Sequence, residues 1–303
     1  MTDFICPSCR GVLIEDGPDL LRCEAGDLDF PRLGGIWRFL TPAGASYYQD
    51  FIRDYETVRR AEGRGSRDPE YYRRLPFEDR SGAMPEMWQM RAASYLCLRE
   101  KVMPAGTGRR LNVLDLGAGN GWLSYRMARE GHTVVAVDLL VNDWDGLGAH
   151  AHYDAEFVPV QAAFDALPFH GRRFYWIVFN ASFHYSVDYH RTLSKTIELL
   201  AANGVLAIVD TPVYHDESSG REMVAERKAE FIRRYGFASN ALPLENFLTF
   251  ERLQRLADEH ALDLHLEQPD FGLKRRLMPF WARLRGRREP AGFPVIELKP
   301  RQP

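Results

Sequence analysis

Histidine is absent before His132, and cysteine is nearly absent after residue 23. Three of the four cysteines (Cys6, Cys9 and Cys23) sit in the first 23 residues, and Cys97 stands alone. So few and so uneven a set excludes a disulfide-dense scaffold. Long apolar runs are missing too, and none approaches the roughly 18–20 residues that span a bilayer. The N-terminus, MTDFICPSCRG, lacks the basic segment followed by an apolar one that marks a signal peptide. A cytoplasmic protein is expected, in which C-x-x-C more often binds metal or does redox chemistry than closes a structural disulfide. A surplus of either charge is also lacking: 39 Lys+Arg against 42 Asp+Glu give a net charge of -3 over 303 residues. Nothing global therefore points to nucleic acid, and any basic footprint must be local. The 45% hydrophobic and 27% charged residues are ordinary for a soluble globular chain, which excludes disorder and collagen.

What is present divides into three segments. Residues 1–42 read as a small β-rich ribbon, in which short apolar pieces alternate with turn residues. It is acidic, with seven carboxylates against Arg10, Arg22, Arg32 and Arg38, and it closes at Gly34-Gly35 and Pro42. Residues 43–105 form a linker rich in Arg and Tyr, with helices expected at Tyr47–Arg60 and Pro85–Val102. It is either a solvated helical face or a lid over a ligand. Residues 106–303 alternate strands and helices. Strands are expected at Asn112–Leu116, Thr133–Asp138, Phe157–Val160, Phe174–Asn180 and Val205–Asp210, then at Leu262–Leu266 and Pro294–Leu298. Helices are expected at Trp122–Arg129, Gly146–His152, Tyr189–Ala202, Arg221–Tyr235 and Thr249–His260. Apolar β-branched runs separated by helices predict an α/β fold, with a parallel sheet covered on both faces.

The most specific signal is VLDLGAGNGWL, residues 113–123. An apolar strand runs into a Gly-x-Gly-x-Gly turn and then a helix. Glycine lets the backbone approach a ligand closely, and the helix N-terminus offers free N–H groups. The dinucleotide fingerprint needs a third glycine where Trp122 stands, which argues against NAD and FAD. Asp115, just before the turn, suits an ammonium group better than a pyrophosphate. Asp138 ends the next strand, where a carboxylate can accept both hydroxyls of a ribose.

With these residues in hand, the segment resembles the class I S-adenosylmethionine-dependent methyltransferases. VLDLGAGNGWLSYRMA is similar to their first motif and VVAVDLL to their second. AAFDALPF (162–169) is similar to the D-A-E-x-L-P-F segment of small-molecule members, with Ala163 where the family's adenine-contacting Asp stands. The resemblance implies a doubly wound, seven-stranded, mostly parallel Rossmann-like sheet with the cofactor across its C-terminal strand ends. It implies that Gly117, Ala118 and Gly119 line the methionine part. Asp115 would reach its amino group, and Asp138 with Leu139 its ribose. Phe164 would lie at the adenine, with Asp165 as a substitute acid. FYWIVFNASFHYS (174–186) places Asn180 at a strand end at the switch point of the sheet. His184 and Tyr185 follow on the loop that faces the transferred methyl group in the resembled fold. His184 is the first candidate base, because a neutral acceptor must lose a proton. His215, after a later strand, is the second, and Tyr185 a candidate pocket residue. Arg91 with Trp88 could cap the cofactor carboxylate.

The segment from CPSC to PRLGGIWRFL resembles a zinc ribbon of the Trm112-like type. Zinc ribbons need four ligands. Cys6, Cys9 and Cys23 supply three, and Asp27 is the candidate fourth, since Gly26 stands where a C-x-x-C ending would place a cysteine. The ribbon either binds zinc through this set or has lost its metal. At the other end, Lys274 to Arg288 carries seven cations and no acid, interleaved with Leu277, Phe280, Trp281 and Leu284. It reads as a solvated connection, or as a contact for a phosphate-bearing substrate, RNA or an anionic membrane surface. The expected function is methyl transfer from S-adenosylmethionine to a small-molecule or lipid-like acceptor. Two other readings stay open: an rRNA or tRNA base methyltransferase, and a non-catalytic methyltransferase fold that binds a partner. The acidic ribbon counts against RNA.

Overall fold

The computed structural model describes residues 4–103 and 108–301. The expected boundary between residues 105 and 106 lies outside them. The head contributes β1 (Ile14–Glu15), β2 (Leu20–Cys23), β3 (Leu28–Leu33) and β4 (Ile36–Arg38). The linker carries α1 (Pro42–Ala61), α2 (Pro69–Arg74) and α3 (Pro85–Cys97), which runs on as a π-helical turn to Val102. Then follow β5 (Asn112–Leu116), α4 (Trp122–Arg129), β6 (Thr133–Asp138), β7 (Val158–Gln161), β8 (Phe174–Asn180), α5 (Tyr189–Ile197) and β9 (Leu200–Val209). The chain continues through β10 (Val213–Tyr214), α6 (Glu217–Tyr235), β11 (Leu248–Thr249), α7 (Phe250–Glu259) and β12 (Leu262–Glu267). It ends with α8 (Leu273–Arg276), α9 (Met278–Leu284) and β13 (Val295–Pro300).

The seven-stranded sheet expected from the motifs is there, in the order β7-β6-β5-β8-β9-β13-β12. Its first five strands are parallel, and β13 runs antiparallel to both neighbours. Both faces are covered. Leu114, Leu116, Val135, Val137, Ile177 and Phe179 pack on one side, and Val113, Val134, Trp176 and Val178 on the other. This is why β5 to β8 read as continuous apolar runs rather than alternating ones.

The head does not stand apart. Its four strands continue the same sheet beyond β7, where β4 pairs in parallel with β7. An otherwise open edge is thereby paired. Ile5 N–H donates to Pro168 C=O at 3.0 Å. The Arg10 guanidinium donates to Leu167 C=O at 2.8 Å and Phe169 C=O at 2.7 Å. The head thus clasps the LPF segment, and Cys6, Cys23, Phe30 and Phe39 share a core with β5, β6 and β8. One boundary moves. The helix expected to Ala202 stops at Ile197, because Leu200 already pairs with Phe174 in β9. Local helix propensity in ELLAAN yields to sheet pairing.

A cofactor cleft roofed by an aromatic helix

Gly117 has φ +75° and Gly121 φ +81°. A Cβ on Gly117 would lie 2.2 Å from Ser182 Cβ, and one on Gly121 2.7 Å from Phe157 Cζ. No side chain fits at either place, so the turn needs glycine for space as well as for conformation. Asn120 Oδ1 accepts the Trp122 N–H at 3.2 Å and caps the start of α4. Trp122, where a dinucleotide fold has its third glycine, is buried edge-on against Trp88 and Tyr95 of α3. Asp138 Oδ2 accepts the Gly119 N–H at 2.7 Å, and its Oδ1 accepts the Leu140 N–H at 2.8 Å. Burial pushes the Asp138 pKa up, while these backbone N–H groups pull it back toward ionisation. Each carboxylate oxygen keeps a second lone pair for a ligand hydroxyl.

A cavity of about 790 Å³ opens at these strand ends. Gly117, Ala118, Gly119, Asp138, Leu139, Phe164, Asp165, Asn180 and Tyr185 all line it. Asp165 also pairs with Arg191 at 3.5 Å on the surface. Asp115 does not line the cavity. It lies beneath the turn, 1% exposed, with Oδ2 taking the Ser124 hydroxyl at 2.7 Å and Oδ1 without a partner. Burial pushes its pKa up to about 7.

Neither histidine named from the sequence reaches the cavity wall. His184 is buried behind Tyr185, its ring 4.3 Å away, with Nδ1 3.4 Å from Thr211 Oγ1. Burial and the charges of Arg227, Arg91 and Arg59 lower its pKa to about 3, so it is a neutral ring at neutral pH. His215 stacks on Phe250 at 4.3 Å, and its backbone N–H donates to the Glu289 carboxylate. Tyr185 does face the cavity and meets Phe51 and Tyr55 edge-on.

Sequence reasoning left the roof open, and α1 supplies it. Tyr47, Tyr48, Phe51, Tyr55 and Arg59 line the cavity from that helix. The signal was there, since positions 47, 48, 51, 55 and 59 fall on one helical face. Arg59 pairs with Asp145 at 3.4 Å, and Arg64 with Glu62 at 2.7 Å. Arg91 is different. It lies over the Trp88 ring at 5.1 Å and makes no hydrogen bond or ion pair among the described residues. Burial lowers its pKa, with Asp210 acting the other way.

This arrangement meets the comparisons with known proteins. The family model described as a methyltransferase domain matches residues 87–266. The chain belongs to the methyltransferase domain family. No curated protein matches this methyltransferase-family chain. Among solved structures it is similar to a chain of the complex between the Haloferax volcanii Trm112 methyltransferase activator and a methyltransferase. That likeness has 16% identity over 78% of this chain and 100% of the other, with TM-score 0.50. The YcgJ protein of Bacillus subtilis shares 15% identity over 70% of this chain and 99% of its own, with TM-score 0.49. An S-adenosylmethionine-dependent methyltransferase of Mesorhizobium loti shares 16% over 68% and 98%, also with TM-score 0.49. S-adenosylmethionine is the cofactor that this family and fold support. The residues present fit it: a turn with no room for a Cβ at Gly117, a carboxylate with free lone pairs, and an unpaired guanidinium share one cavity.

In the head, the sulfurs of Cys6, Cys9 and Cys23 lie within 4.8 Å of one another, and Cys9 and Cys23 are 3.4 Å apart. The Gly11 N–H donates to Cys9 Sγ at 3.4 Å and helps lower that thiol's pKa. Asp27 is not in the cluster. It sits one residue too far along, in a left-handed conformation that closes the turn. Gly26, one residue earlier, does border the sulfurs: its Cβ would lie 3.5 Å from Cys23 Sγ.

Proposed function

We propose that the protein transfers a methyl group from S-adenosylmethionine to a small-molecule or lipid-like acceptor held under α1. One observation carries this reading. The glycine turn with Asp138 and the aromatic face of α1 wall the same cavity of about 790 Å³. That volume is within the range of pockets that enclose small ligands. The wall opposite the turn is apolar and aromatic, with Arg59, Arg64 and Arg91 at its end. When bound, the cofactor supplies an electrophilic methyl group on a sulfonium.

The chain's own part is to bind, align and exclude water. Asp138 would accept the ribose hydroxyls while its backbone bonds hold the turn in place. Phe164 would flank the adenine, and Arg91 would take an anionic group of the cofactor or acceptor. Asp115, below the turn, would favour an ammonium group through its ionised form. Tyr55, Phe51 and Tyr185 would hold the acceptor's body. No histidine lines the cavity among the described residues. The reading therefore favours an acceptor whose nucleophile carries a free lone pair at neutral pH, such as a carboxylate or a weakly basic aromatic amine. His184 acts by supporting Tyr185.

For the head we infer a Zn²⁺ ion on Cys6, Cys9 and Cys23, with the fourth position left to a ligand from outside the described side chains. The zinc would tie the end of β2, at Cys23, to the N-terminal knuckle, beside the LPF segment that Arg10 grips. Incubation with a donor labelled in its methyl group, and fractionated small molecules and lipids as acceptors, tests the central reading. Label in a low-molecular-weight product supports it. Tight donor binding without transfer to any fraction would favour the binding-protein reading, and label in RNA the base-methyltransferase one.

A further inference from the structure

The basic segment near the C-terminus folds as one helical stretch, α8 and α9, joined through Leu277. Its backbone bonds run through the joint, with Leu277 N–H to Leu273 C=O at 3.1 Å and Trp281 N–H to Leu277 C=O at 3.2 Å. Leu273, Leu277, Phe280, Trp281 and Leu284 follow the spacing i, i+4, i+7, i+8, i+11. This is the stripe that a helix normally buries. Here it faces outward: Leu273 is 71% exposed, Phe280 61% and Leu284 67%. Lys274, Arg276, Arg283 and Arg287 surround it without an acidic partner among the described residues, whereas Arg288 pairs with Glu226.

The place of this helix in the fold adds to the case. Arg275 turns inward, over Phe293 at 5.1 Å and against Met90 Sδ. Those residues line a cleft with Met84, Met87, Arg91 and Ala181. Arg91 and Ala181 also line the large cavity. A methionine-lined cleft beside the exposed helix thus adjoins the large cavity.

We propose that α8–α9 is an interfacial helix that seats the protein on an anionic lipid surface. Exposed leucine and aromatic side chains on one face, ringed by Lys and Arg, are what binding in the plane of a bilayer interface requires. Phosphate contacts on RNA need the cations and leave the apolar stripe in water. The core of a protein–protein interface is depleted of charge, which the ring of cations contradicts. The role of the cleft as an entry for an amphiphilic acceptor rests on the function proposed above. Docking on lipid does not, and it is measured without donor or acceptor.

The test is flotation of the full-length protein with vesicles of phosphatidylcholine alone, and of phosphatidylcholine with phosphatidylglycerol. Binding is expected only to the second, weakening as salt is raised. The exposed triple substitution Leu277→Ser, Phe280→Ser and Leu284→Ser should reduce it roughly tenfold or more, with an unchanged melting temperature. Reversal of Arg283, Arg285 and Arg287 to Glu should abolish it. No binding to anionic vesicles, or binding indifferent to the apolar triple, overturns the proposal. So does tighter binding to polyuridylate than to vesicles at the same salt, which would assign the patch to RNA. Loss of methyl transfer with vesicle binding intact would count against the proposed function and leave docking in place.

Discussion

Replacing Asp115 by Asn should stabilise the protein at pH 8 and leave it nearly unchanged at pH 4. The carboxyl is 1% exposed, one oxygen has no partner, and burial raises its pKa from 3.8 to about 7. Between those two values the folded chain keeps a proton that the unfolded chain has lost. Folding stability then falls as pH rises, by about 1.36 kcal/mol per unit, and stops falling above the folded pKa. From pH 4 to pH 7 the loss is about 4 kcal/mol. The Asp115→Asn chain keeps an oxygen for the Ser124 hydroxyl but has nothing to ionise, so it lacks this slope. His184 contributes a slope of the opposite sign in an overlapping interval. Its pKa is lowered from 6.5 to about 3, so stability present above pH 6.5 is lost as pH falls. That term is common to both chains and cancels in their difference. The assay is urea unfolding of both proteins at a series of pH values. The gap in stability should grow from near zero to about 4 kcal/mol. Parallel curves would refute the reasoning, since they would mean that the carboxyl is ionised with a partner or reaches water. An ammonium group bound near Asp115 favours the ionised form. Cofactor affinity should therefore rise with pH up to about 7 in the wild type, and this rise should vanish in Asp115→Asn.

Four further outcomes are expected. Asp138→Ala removes two backbone hydrogen bonds along with the ribose acceptor and should weaken cofactor binding by roughly 10²-fold in calorimetry; unchanged affinity would place the ribose elsewhere. Gly117→Ala, with its Cβ 2.2 Å from Ser182, should abolish cofactor binding, whereas Gly131→Ala, with open space around it, should cost only about 1 kcal/mol of stability and leave binding intact. His184→Asn should lower turnover by less than about tenfold and leave the pH–rate profile without a histidine limb, because loss of a true general base costs roughly 10²–10⁴. Gly26→Cys, whose Cβ would meet Cys23 Sγ at 3.5 Å, should complete a four-sulfur site and raise zinc retention against a chelator; Asp27→Asn should leave metal content unchanged, and metal loss in that variant would restore Asp27 as the ligand.

The sheet could be read from the sequence because its central strands are buried on both faces, and three of their apolar runs start and stop where the structure does. Asn112–Leu116, Thr133–Asp138 and Phe174–Asn180 are found as β5, β6 and β8 at those same bounds. Failure came where tertiary pairing overrode local preference, as at Leu200. The placing of the head on the sheet edge is likewise a matter of tertiary pairing rather than of composition. Nothing in forty residues of sequence reveals that β4 will pair with β7, more than a hundred positions away.

The site divides along the same line. The glycine turn and Asp138 are local features whose chemistry follows from position on a strand end, so a sequence can present them. The proposed acceptor wall is not local. Tyr47, Phe51 and Tyr55 become a wall only when α1 crosses the strand ends, and Arg91 keeps an unbonded guanidinium because among the described residues no carboxylate lies at ion-pair distance, Asp210 acting on it from further off. His184 shows the converse case. Its place on the loop after β8 suits a base, but folding buries it and strips its proton. A base must face the acceptor and hold a pKa near the working pH, and both properties belong to the packed structure rather than to the motif. The reaction is therefore better sought among acceptors that need no histidine. The roof and Arg91 can test that choice independently: Tyr55→Ala should raise KM for the acceptor and leave cofactor affinity unchanged, whereas Arg91→Ala should weaken whichever ligand brings the anion.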